Sequence, residues 1–276
     1  MKQLLKIFRI ILCRTSHPGN IGAVARAMKT MDFADLYLVN PKSFPDEIAT
    51  KRATNAVDIL ENCCVVENLV QAIQDCNFVI GFSARERDLN VPLITLPKLL
   101  ENIKNDFTNN FTNNFTNNFT NNFTNKIALV FGNETNGLSN EELVHCQCQV
   151  KIDTSDDFAS LNLGSAVQII TYELREFYKN YKQNCISQKN SSKNSNIKNG
   201  VKNYSRLATM KEMENFYNHL QQCMQEVGFY NPNQPGRLMH RLRRLFSRSN
   251  LESTEINILR GFLSAIQNPT KFGKQN

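Results

Sequence analysis

Apolar runs and amphipathic segments alternate over residues 1–180. Runs rich in Val, Ile, Leu and Phe predict strands at residues 7–13, 36–39, 77–83, 126–132 and 150–152. Helical spacing predicts helices at residues 20–31 and 69–75, a short helix capped by Ser139, and a long helix from Leu163. Because strands alternate with helices, the pattern predicts an α/β domain with a parallel sheet.

The first helix carries the most informative pattern. Ile21, Val24 and Met28 recur on one face, and Asn20 is expected to cap the helix by accepting from exposed backbone N–H groups. Arg26 lies beside this apolar stripe, next to a Gly-rich turn. The helix alone leaves two interpretations open: an active-site arginine, or a guanidinium that reaches water along an apolar surface.

A second, smaller unit follows a polar segment. Residues 181–207, rich in Asn, Ser and Lys, predict a flexible basic linker. Beyond it, Thr209 and Glu212 have the spacing of a capping box, and further helices are predicted over residues 238–246 and 254–267. Residues 208–276 are therefore expected to form a small C-terminal helical domain.

One segment differs from both of its neighbours in composition. Between residues 107 and 125, the tetrapeptide Phe-Thr-Asn-Asn repeats almost without change. A four-residue period is too short for a solenoid unit, and Asn-rich tracts disfavour a packed core. We expect an expanded surface loop without a chemical role, inserted into the first domain.

Charge and cysteine usage narrow the functional class. The formal charge of +7 favours a polyanionic partner. Eight cysteines include no C-x-x-C pair, which favours a reduced, cytoplasmic protein without structural metal. Arg9 interrupts the N-terminal apolar run and no cleavage site follows, so we expect no signal peptide. No run reaches the ~18 apolar residues of a membrane span, so we expect a soluble protein without a membrane partner.

Three separated segments combine small residues with polar groups: residues 20–26, residues 130–138 and residues 158–165. Gly132 and Gly137 remove side-chain bulk, so a flat adenine can lie against the backbone and exchange hydrogen bonds with it. An ordinary turn is the alternative for Gly132 taken alone. Together and in this order, the segments resemble motifs one, two and three of the SPOUT (SpoU/TrmH-like) RNA 2′-O-methyltransferases. Residues 27–31, 37–41, 83–85 and 259–262 extend the resemblance.

The resemblance implies a fold, a cofactor and partners. The SPOUT fold is a parallel α/β sheet with a C-terminal trefoil knot, an exception to the usual chain-threading rules. The methyl donor would be S-adenosylmethionine, and the site would form at the subunit interface of a homodimer. The likeness is closest to enzymes that methylate cytidine or uridine at position 32 of the tRNA anticodon loop, so tRNA is the expected partner.

The resemblance also implies roles for individual residues. The residues expected to line the cofactor pocket are Phe82, Ser83, Ala84, Gly132, Glu134, Ile152, Ala159, Ser160 and Leu161. The residues expected to serve catalysis are Arg26, Asn20, Ser160 and Asn162. A guanidinium is a poor proton acceptor at neutral pH, so Arg26 is expected to grip a phosphate and stabilise charge on the 2′-oxygen, while a phosphate or water takes the proton. For Ser160 and Asn162, capping of the helix at Leu163 is the alternative role.

The second motif departs from the family pattern. The family usually has Gly-Arg-Glu where this chain has Gly132, Asn133 and Glu134, so one guanidinium is missing. Arg85 and Arg87 are expected to contact RNA. Two outcomes stay open: a lower affinity for RNA, or compensation for the missing charge by a neighbour such as Arg85 or Arg87.

Further RNA contacts are expected from the second C-terminal helix. Arg237, Arg241, Arg244 and Arg248 are spaced to share one of its faces, which suits a track of phosphates. A solvated charged face is the alternative.

Two other functions remain open at this stage. The chemistry could act on another tRNA position or on ribosomal RNA, since no residue pattern identifies the target nucleotide. The chain could also be a non-catalytic RNA-binding relative with an eroded pocket, an interpretation that only Asn133 favours.

Overall fold

Parallel strands form one sheet of seven in this computed structural model, which describes residues 5–83, 91–106, 126–155, 157, 160–191 and 206–268. The strands are β1 (Phe8–Cys13), β2 (Asp35–Val39), β3 (Cys64–Val66), β4 (Phe78–Phe82), β5 (Leu93–Thr95), β6 (Ile127–Phe131) and β7 (Cys148–Lys151). Their order is β3-β2-β1-β6-β4-β7-β5, and each neighbouring pair is parallel. The predicted parallel α/β sheet is confirmed. The edge strands β3 and β5 were not predicted, because three residues are too few to show a period.

Helices cover both faces of this sheet. They are α1 (Pro18–Thr30), α2 (Glu47–Ala53), α3 (Val57–Glu61), α4 (Leu69–Ile73), α5 (Leu96–Asp106), α6 (Asn140–Leu143), α7 (Leu163–Ser191), α8 (Met210–Glu226), α9 (Leu238–Ser247) and α10 (Ser253–Gln267). The predicted capping boxes are confirmed at the starts of α6 and α8. Among the described helices, none combines the length and apolarity needed to cross a bilayer.

Side chains of β1 alternate between two cores. Phe8, Ile10 and Leu12 pack in one core with the apolar faces of α1 and α7. Ile11 and Cys13 pack in the other core with α4 and α6. Since both faces are covered, all six residues of the strand are buried, as is usual in parallel sheets.

Arg9 is the charged residue within this buried strand. Its side chain is 2% exposed, and its guanidinium donates to Asp35, to Asp75 and to the carbonyl of Ala72. It also lies 3.9 Å from the centre of the Tyr37 ring. The burial of a charge is tolerated here because several partners surround it.

Two boundaries differ from the sequence-based expectation. Asn20 does not cap α1: the helix begins at Pro18, and the side chain of His17 accepts from the N–H of Gly19. Proline suits the first helical position because its fixed φ matches the helix and its missing N–H leaves no donor unpaired. The capping prediction for Asn20 was therefore wrong, and its amide is available for other contacts.

The second difference concerns the predicted linker. α7 continues to Ser191, well into residues 181–207, so the first part of that segment is helix. Phe177 stacks on Tyr181 with ring centres 6.4 Å apart, one turn further along the helix. Extension of an existing helix costs little when Lys and Gln follow, which explains why a polar composition did not end it.

The C-terminal helices have their own core and dock on one edge of the sheet. Phe216, Tyr217, Ile256 and Leu263 are buried in that core. The connection leading into α8 hydrogen-bonds to the segment before β4: the N–H of Met210 donates to the carbonyl of Cys76 at 2.8 Å. The module therefore lies at the amino ends of the strands.

Candidate active site

A cavity of about 270 Å³ opens at the carboxyl ends of β4, β6 and β7. Ligands of open α/β sheets bind at this edge. The cavity is lined by Phe82, Ser83, Phe131, Gly132, Asn133, Glu134, Thr135, Gly137, Ile152, Thr154, Ser160, Leu161, Leu163 and Ala166. Seven of the residues that the resemblance assigned to the cofactor lie in this lining, whereas Ala84 and Ala159 lie outside the described residues.

Two glycines shape the loop after β6. A Cβ placed on Gly132 would lie 2.1 Å from the carbonyl carbon of Gly137, which is far inside van der Waals contact. Gly137 itself has a φ of +65°, in the left-handed region that favours glycine. The two arms of this loop can therefore approach each other only without side chains at position 132, and the backbone forms one wall of the cavity.

An aromatic pair forms another wall. Phe82 and Phe131 are register partners on neighbouring strands, and their rings stack 4.7 Å apart at an angle of 9°. Of the two, only Phe82 was predicted to line the pocket. Phe131 was missed because an apolar residue at the end of a buried strand gives no signal of its own.

Glu134 links this loop to the start of α1. Its carboxylate accepts from the Asn20 side chain at 2.7 Å, and from the N–H and hydroxyl of Ser16 at 2.9 and 2.8 Å. Partial burial opposes ionisation, but these hydrogen bonds outweigh it and lower the pKa of Glu134 below its ordinary value. The carboxylate is therefore ionised at neutral pH and fixes motif two against motif one.

Asn20 also hydrogen-bonds to the third motif. Its side-chain oxygen accepts from the Asn162 side chain at 3.0 Å. The Asn162 oxygen in turn accepts from the N–H of Gly164 at 2.9 Å, in the manner of a helix cap. Asn162 therefore has the capping role that the sequence left open, while its catalytic role stays a prediction, and Glu134, Asn20 and Asn162 tie the three motifs together.

Arg26 lies on α1, six residues after Asn20, and is not among the described residues that line the cavity. It is exposed, and within the described part of the chain its guanidinium has no hydrogen-bond or ion-pair partner. Ala23 lies one turn before Arg26 on the same face of α1 and packs closely against α7. A Cβ built on Gly164 would lie 2.9 Å from the Cβ of Ala23. Arg26 is therefore on the face of α1 that packs against the start of α7, and its guanidinium makes no hydrogen bond or ion pair with the described lining of the cavity.

Arg14 contacts Asn133, the residue that stands where the family usually has an arginine. The sequence analysis missed Arg14. The Asn133 side chain donates to the carbonyl of Arg14 at 2.7 Å. The Arg14 guanidinium pairs with Glu142 at 2.7 Å and reaches the carbonyl of Gly137 at 3.4 Å. A guanidinium from the residue directly after β1 therefore supports the motif-two loop, although none follows Gly132 in the sequence.

The cavity suits a flat, positively charged ligand. Its stacked aromatic rings and bare backbone match an adenine, and its volume is just below the ~300 to 1000 Å³ usual for ligand pockets. Among the described lining residues, none carries a positive charge, while Glu134 carries a negative one. S-adenosylmethionine, with its sulfonium and ammonium groups, fits this set of residues.

The arginines expected to bind RNA lie elsewhere. Arg237, Arg241, Arg244 and Arg248 are exposed on or beside α9, and none has a side-chain partner among the residues described. They belong to the C-terminal module at the amino ends of the strands, opposite the cavity. Arg85 and Arg87 lie outside the described residues, as does the Phe-Thr-Asn-Asn repeat.

Two protein-family models match the chain. Residues 7–172 match the SpoU rRNA methylase family, and residues 211–275 match the C-terminal domain of the tRNA methyltransferase TrmJ. The two matches cover both the sheet with its cavity and the helical module.

Individual proteins match over nearly the full length. The chain is 39% identical to the tRNA (cytidine/uridine/adenosine-2′-O-)-methyltransferase TrmJ of Pseudomonas aeruginosa, over 96% of this chain and 95% of that protein. It is 38% identical to the tRNA (cytidine/uridine-2′-O-)-methyltransferase TrmJ of Escherichia coli K12, over 98% and 99%. The crystal structure of TrmJ from Z. mobilis ZM4 shares the fold, with a TM-score of 0.71, 24% identity, and coverage of 94% of this chain and 99% of that one.

Proposed function

The chain belongs to the SpoU methylase family, and from this premise we propose that it is an S-adenosylmethionine-dependent tRNA 2′-O-methyltransferase acting on cytidine or uridine. The observation that carries the proposal is the junction of all three motifs at one cavity through Glu134, Asn20 and Asn162. The target nucleotide is position 32 of the anticodon loop, on the strength of the motif resemblance described above.

The chain's own residues would hold the reactants as follows. Phe82, the Gly132 loop and Leu161 would enclose the cofactor, and Glu134 would face its positive charge. When bound, S-adenosylmethionine supplies an electrophilic methyl group, so that a C–O bond to the ribose forms as the C–S bond breaks and the hydroxyl proton passes to water or a phosphate. Arg26 would grip a substrate phosphate and stabilise the charge that develops on the 2′-oxygen. Alignment of the hydroxyl with the methyl group would supply much of the acceleration.

We further propose that the enzyme is a homodimer whose sites are shared between subunits. Arg26 supports this proposal because it is exposed and is not among the described residues that line the cavity of its own chain. A second copy can bring its own Arg26 to that cavity. The proposed domain division is a methyltransferase domain over residues 1–180 and a tRNA-binding helical domain over residues 208–276, joined by a segment that begins as helix.

The remaining parts of the proposal concern the chain path and the compartment. We propose that the loops around β6 and β7 form the trefoil knot of SPOUT enzymes, which is compatible with the position of β7 between β4 and β5. We place the enzyme in the cytoplasm, where the thiols implied by its cysteine spacing stay reduced.

Incubation of the protein with total tRNA and methyl-labelled cofactor tests the function. Digestion to nucleosides and mapping of the label should give 2′-O-methylcytidine or 2′-O-methyluridine at position 32. Label on a base, or RNA that stays unlabelled while the cofactor binds, would contradict the proposal.

A further inference from the structure

A groove of about 430 Å³ lies between the C-terminal module and the main domain. It is at the amino ends of the strands, whereas the cofactor cavity is at their carboxyl ends. Cys146 and Gln147 in its lining directly precede β7, and Pro92 directly precedes β5. β4 is five residues long, so the amino and carboxyl ends of the strands are about 16 Å apart. The groove therefore cannot hold the nucleotide that is methylated in the cavity of the same chain.

The floor of the groove is apolar and includes an aromatic ring. Cys146, Met210, Met213 and Tyr217 line it, and each of these side chains is buried beneath the opening. The opposite wall comes from Asn140, at the start of α6, and from Val144 and His145, which follow that helix. Such a floor offers contact to a flat, weakly polar group rather than to an ion alone.

The rim of the groove is cationic. Arg237, His240, Arg241 and Arg244 follow one another at helical spacing and all line it, while Met239 and Phe246 of α9 pack into the module. The three arginines are exposed and have no partner among the residues that the structure describes. Their charge is available to a ligand.

The acidic group next to the groove is already neutralised. Glu214 accepts two hydrogen bonds from Arg243, whose guanidinium also lies 4.4 Å from the centre of the Tyr217 ring, and it lies 3.4 Å from His145. Arg243 is therefore held in place by Glu214 and Tyr217, in contrast to the unpaired arginines on the rim.

We propose that this groove is a second nucleotide-binding site, which holds one unstacked nucleotide of the tRNA substrate at a distance from the methylated one. The inference rests on the proposed function for the identity of the RNA. Unstacked bases bind to aromatic and apolar surfaces, and their phosphates bind to arginine, so the apolar floor and cationic rim match the two halves of one nucleotide.

Binding of fluorescent tRNA, measured by anisotropy at several salt concentrations, tests the charge of the rim. Arg241→Gln with Arg244→Gln should weaken binding about ten-fold and lower the salt slope by about one to two. The charge-matched control, Lys51→Gln with Lys98→Gln, removes two exposed lysines outside the groove and should change binding by less than about two-fold. Equal losses in the two double variants would overturn the proposal.

A neutral pair of variants tests whether a base enters the groove. Asn140 is exposed on its wall, so Asn140→Trp fills the space without removing a charge, and Asn140→Ala leaves it open. The tryptophan variant should bind tRNA about five-fold more weakly than the alanine variant, because the indole excludes the base from the apolar floor. Equal affinities would overturn the proposal.

The same proteins separate this inference from the function on which it rests. Cofactor affinity should stay unchanged in all four variants, since the cavity is on the other edge of the sheet. A wild-type protein that binds tRNA through the groove but transfers no methyl group refutes the proposed function alone. A wild-type protein that methylates tRNA while the variants bind normally refutes the groove alone.

Discussion

The side chain of Asn20 donates a 2.7 Å hydrogen bond to the carboxylate of Glu134, across 114 positions of sequence. This contact joins the first turn of α1 to the loop after β6, and Asn162 extends it to the start of α7. Because one carboxylate organises several donors, its loss should loosen the cavity without unfolding the sheet.

Glu134→Gln tests this organisation. The amide replaces one acceptor oxygen with a donor facing other donors, so cofactor affinity should fall about five-fold, or about 1 kcal/mol for a partly exposed carboxylate. Calorimetric titration of the variant measures it. Glu47→Gln, a change at an exposed ion pair, should bind normally. Unaltered affinity in Glu134→Gln would show that the carboxylate does not shape the cavity.

The same variant has a defined pH dependence. The pKa of Glu134 is lowered in the folded protein, so the wild type gains stability over Glu134→Gln above the ordinary range of a glutamate. That advantage should disappear as the pH falls through the lowered pKa. Thermal melts of both proteins between neutral and strongly acidic pH measure the difference, and an advantage that grows in acid would contradict the assignment.

Arg9 should be the most costly single charge to remove. Arg9→Met leaves Asp35 and Asp75 without their buried partner and should lower the free energy of unfolding by about 3 kcal/mol. Lys29→Met, which breaks the exposed pair with Asp58, should cost less than about 1 kcal/mol. Urea unfolding compares the two, and equal small losses would contradict a structural role for Arg9.

Acid should weaken the contribution of Arg9. Burial opposes the ionisation of Asp75, but hydrogen bonds from Arg9 and Lys126 lower its pKa to about 2. The stability that the pair provides is therefore complete above pH ~4, the pKa of an unfolded aspartate, and is lost between about pH 4 and 2. Urea midpoints of the wild type and Arg9→Met should converge over that range. A constant difference would indicate that Asp75 does not stabilise Arg9.

Arg26→Lys tests the proposed catalytic role. A lysine keeps the positive charge but cannot reproduce the planar fork of a guanidinium, so methyl transfer should fall about 100-fold while cofactor affinity stays unchanged. Single-turnover transfer and calorimetry separate the two effects. Near-normal transfer in this variant would remove Arg26 from the mechanism.

Mixed subunits test where Arg26 acts. If each site takes its arginine from the partner, mixing the inactive Arg26→Ala and Gly132→Ala chains restores one site in each mixed dimer, which is about a quarter of wild-type activity. If Arg26 serves its own cavity, the mixture stays inactive. Activity of the mixture after exchange of subunits therefore decides between the two.

The sequence predicted the frame of the fold but not the contacts between its segments. The central strands and the capping boxes at Ser139 and Thr209 were predictable because they depend on local patterns. The role of Asn20 was not, since local rules assigned it to a cap, whereas Pro18 moved the start of the helix and freed the amide. Arg14 had no pattern at all, because it acts through groups distant in sequence.

The placement of the basic helix also could not be read from spacing. The spacing of Arg237, Arg241, Arg244 and Arg248 predicted a shared face. The structure places the first three on one groove, whereas Arg248 follows α9 and is not in the lining. Which edge of the sheet this face meets depends on how α8 docks beside Cys76 and Asn77, a long-range contact without a sequence period. The sequence therefore could not predict that the cofactor cavity and the basic groove lie at opposite ends of the strands.

Calorimetric titration with S-adenosylmethionine tests most directly whether the glycine loop holds the cofactor. Gly132→Ala forces a Cβ to within 2.1 Å of Gly137, whereas Gly261→Ala meets no atom within 4 Å and serves as the matched control. Wild type and Gly261→Ala should bind the cofactor equally, and Gly132→Ala should lose about 100-fold or more in affinity. Absence of binding to the wild type, or equal binding by all three proteins, would contradict the account.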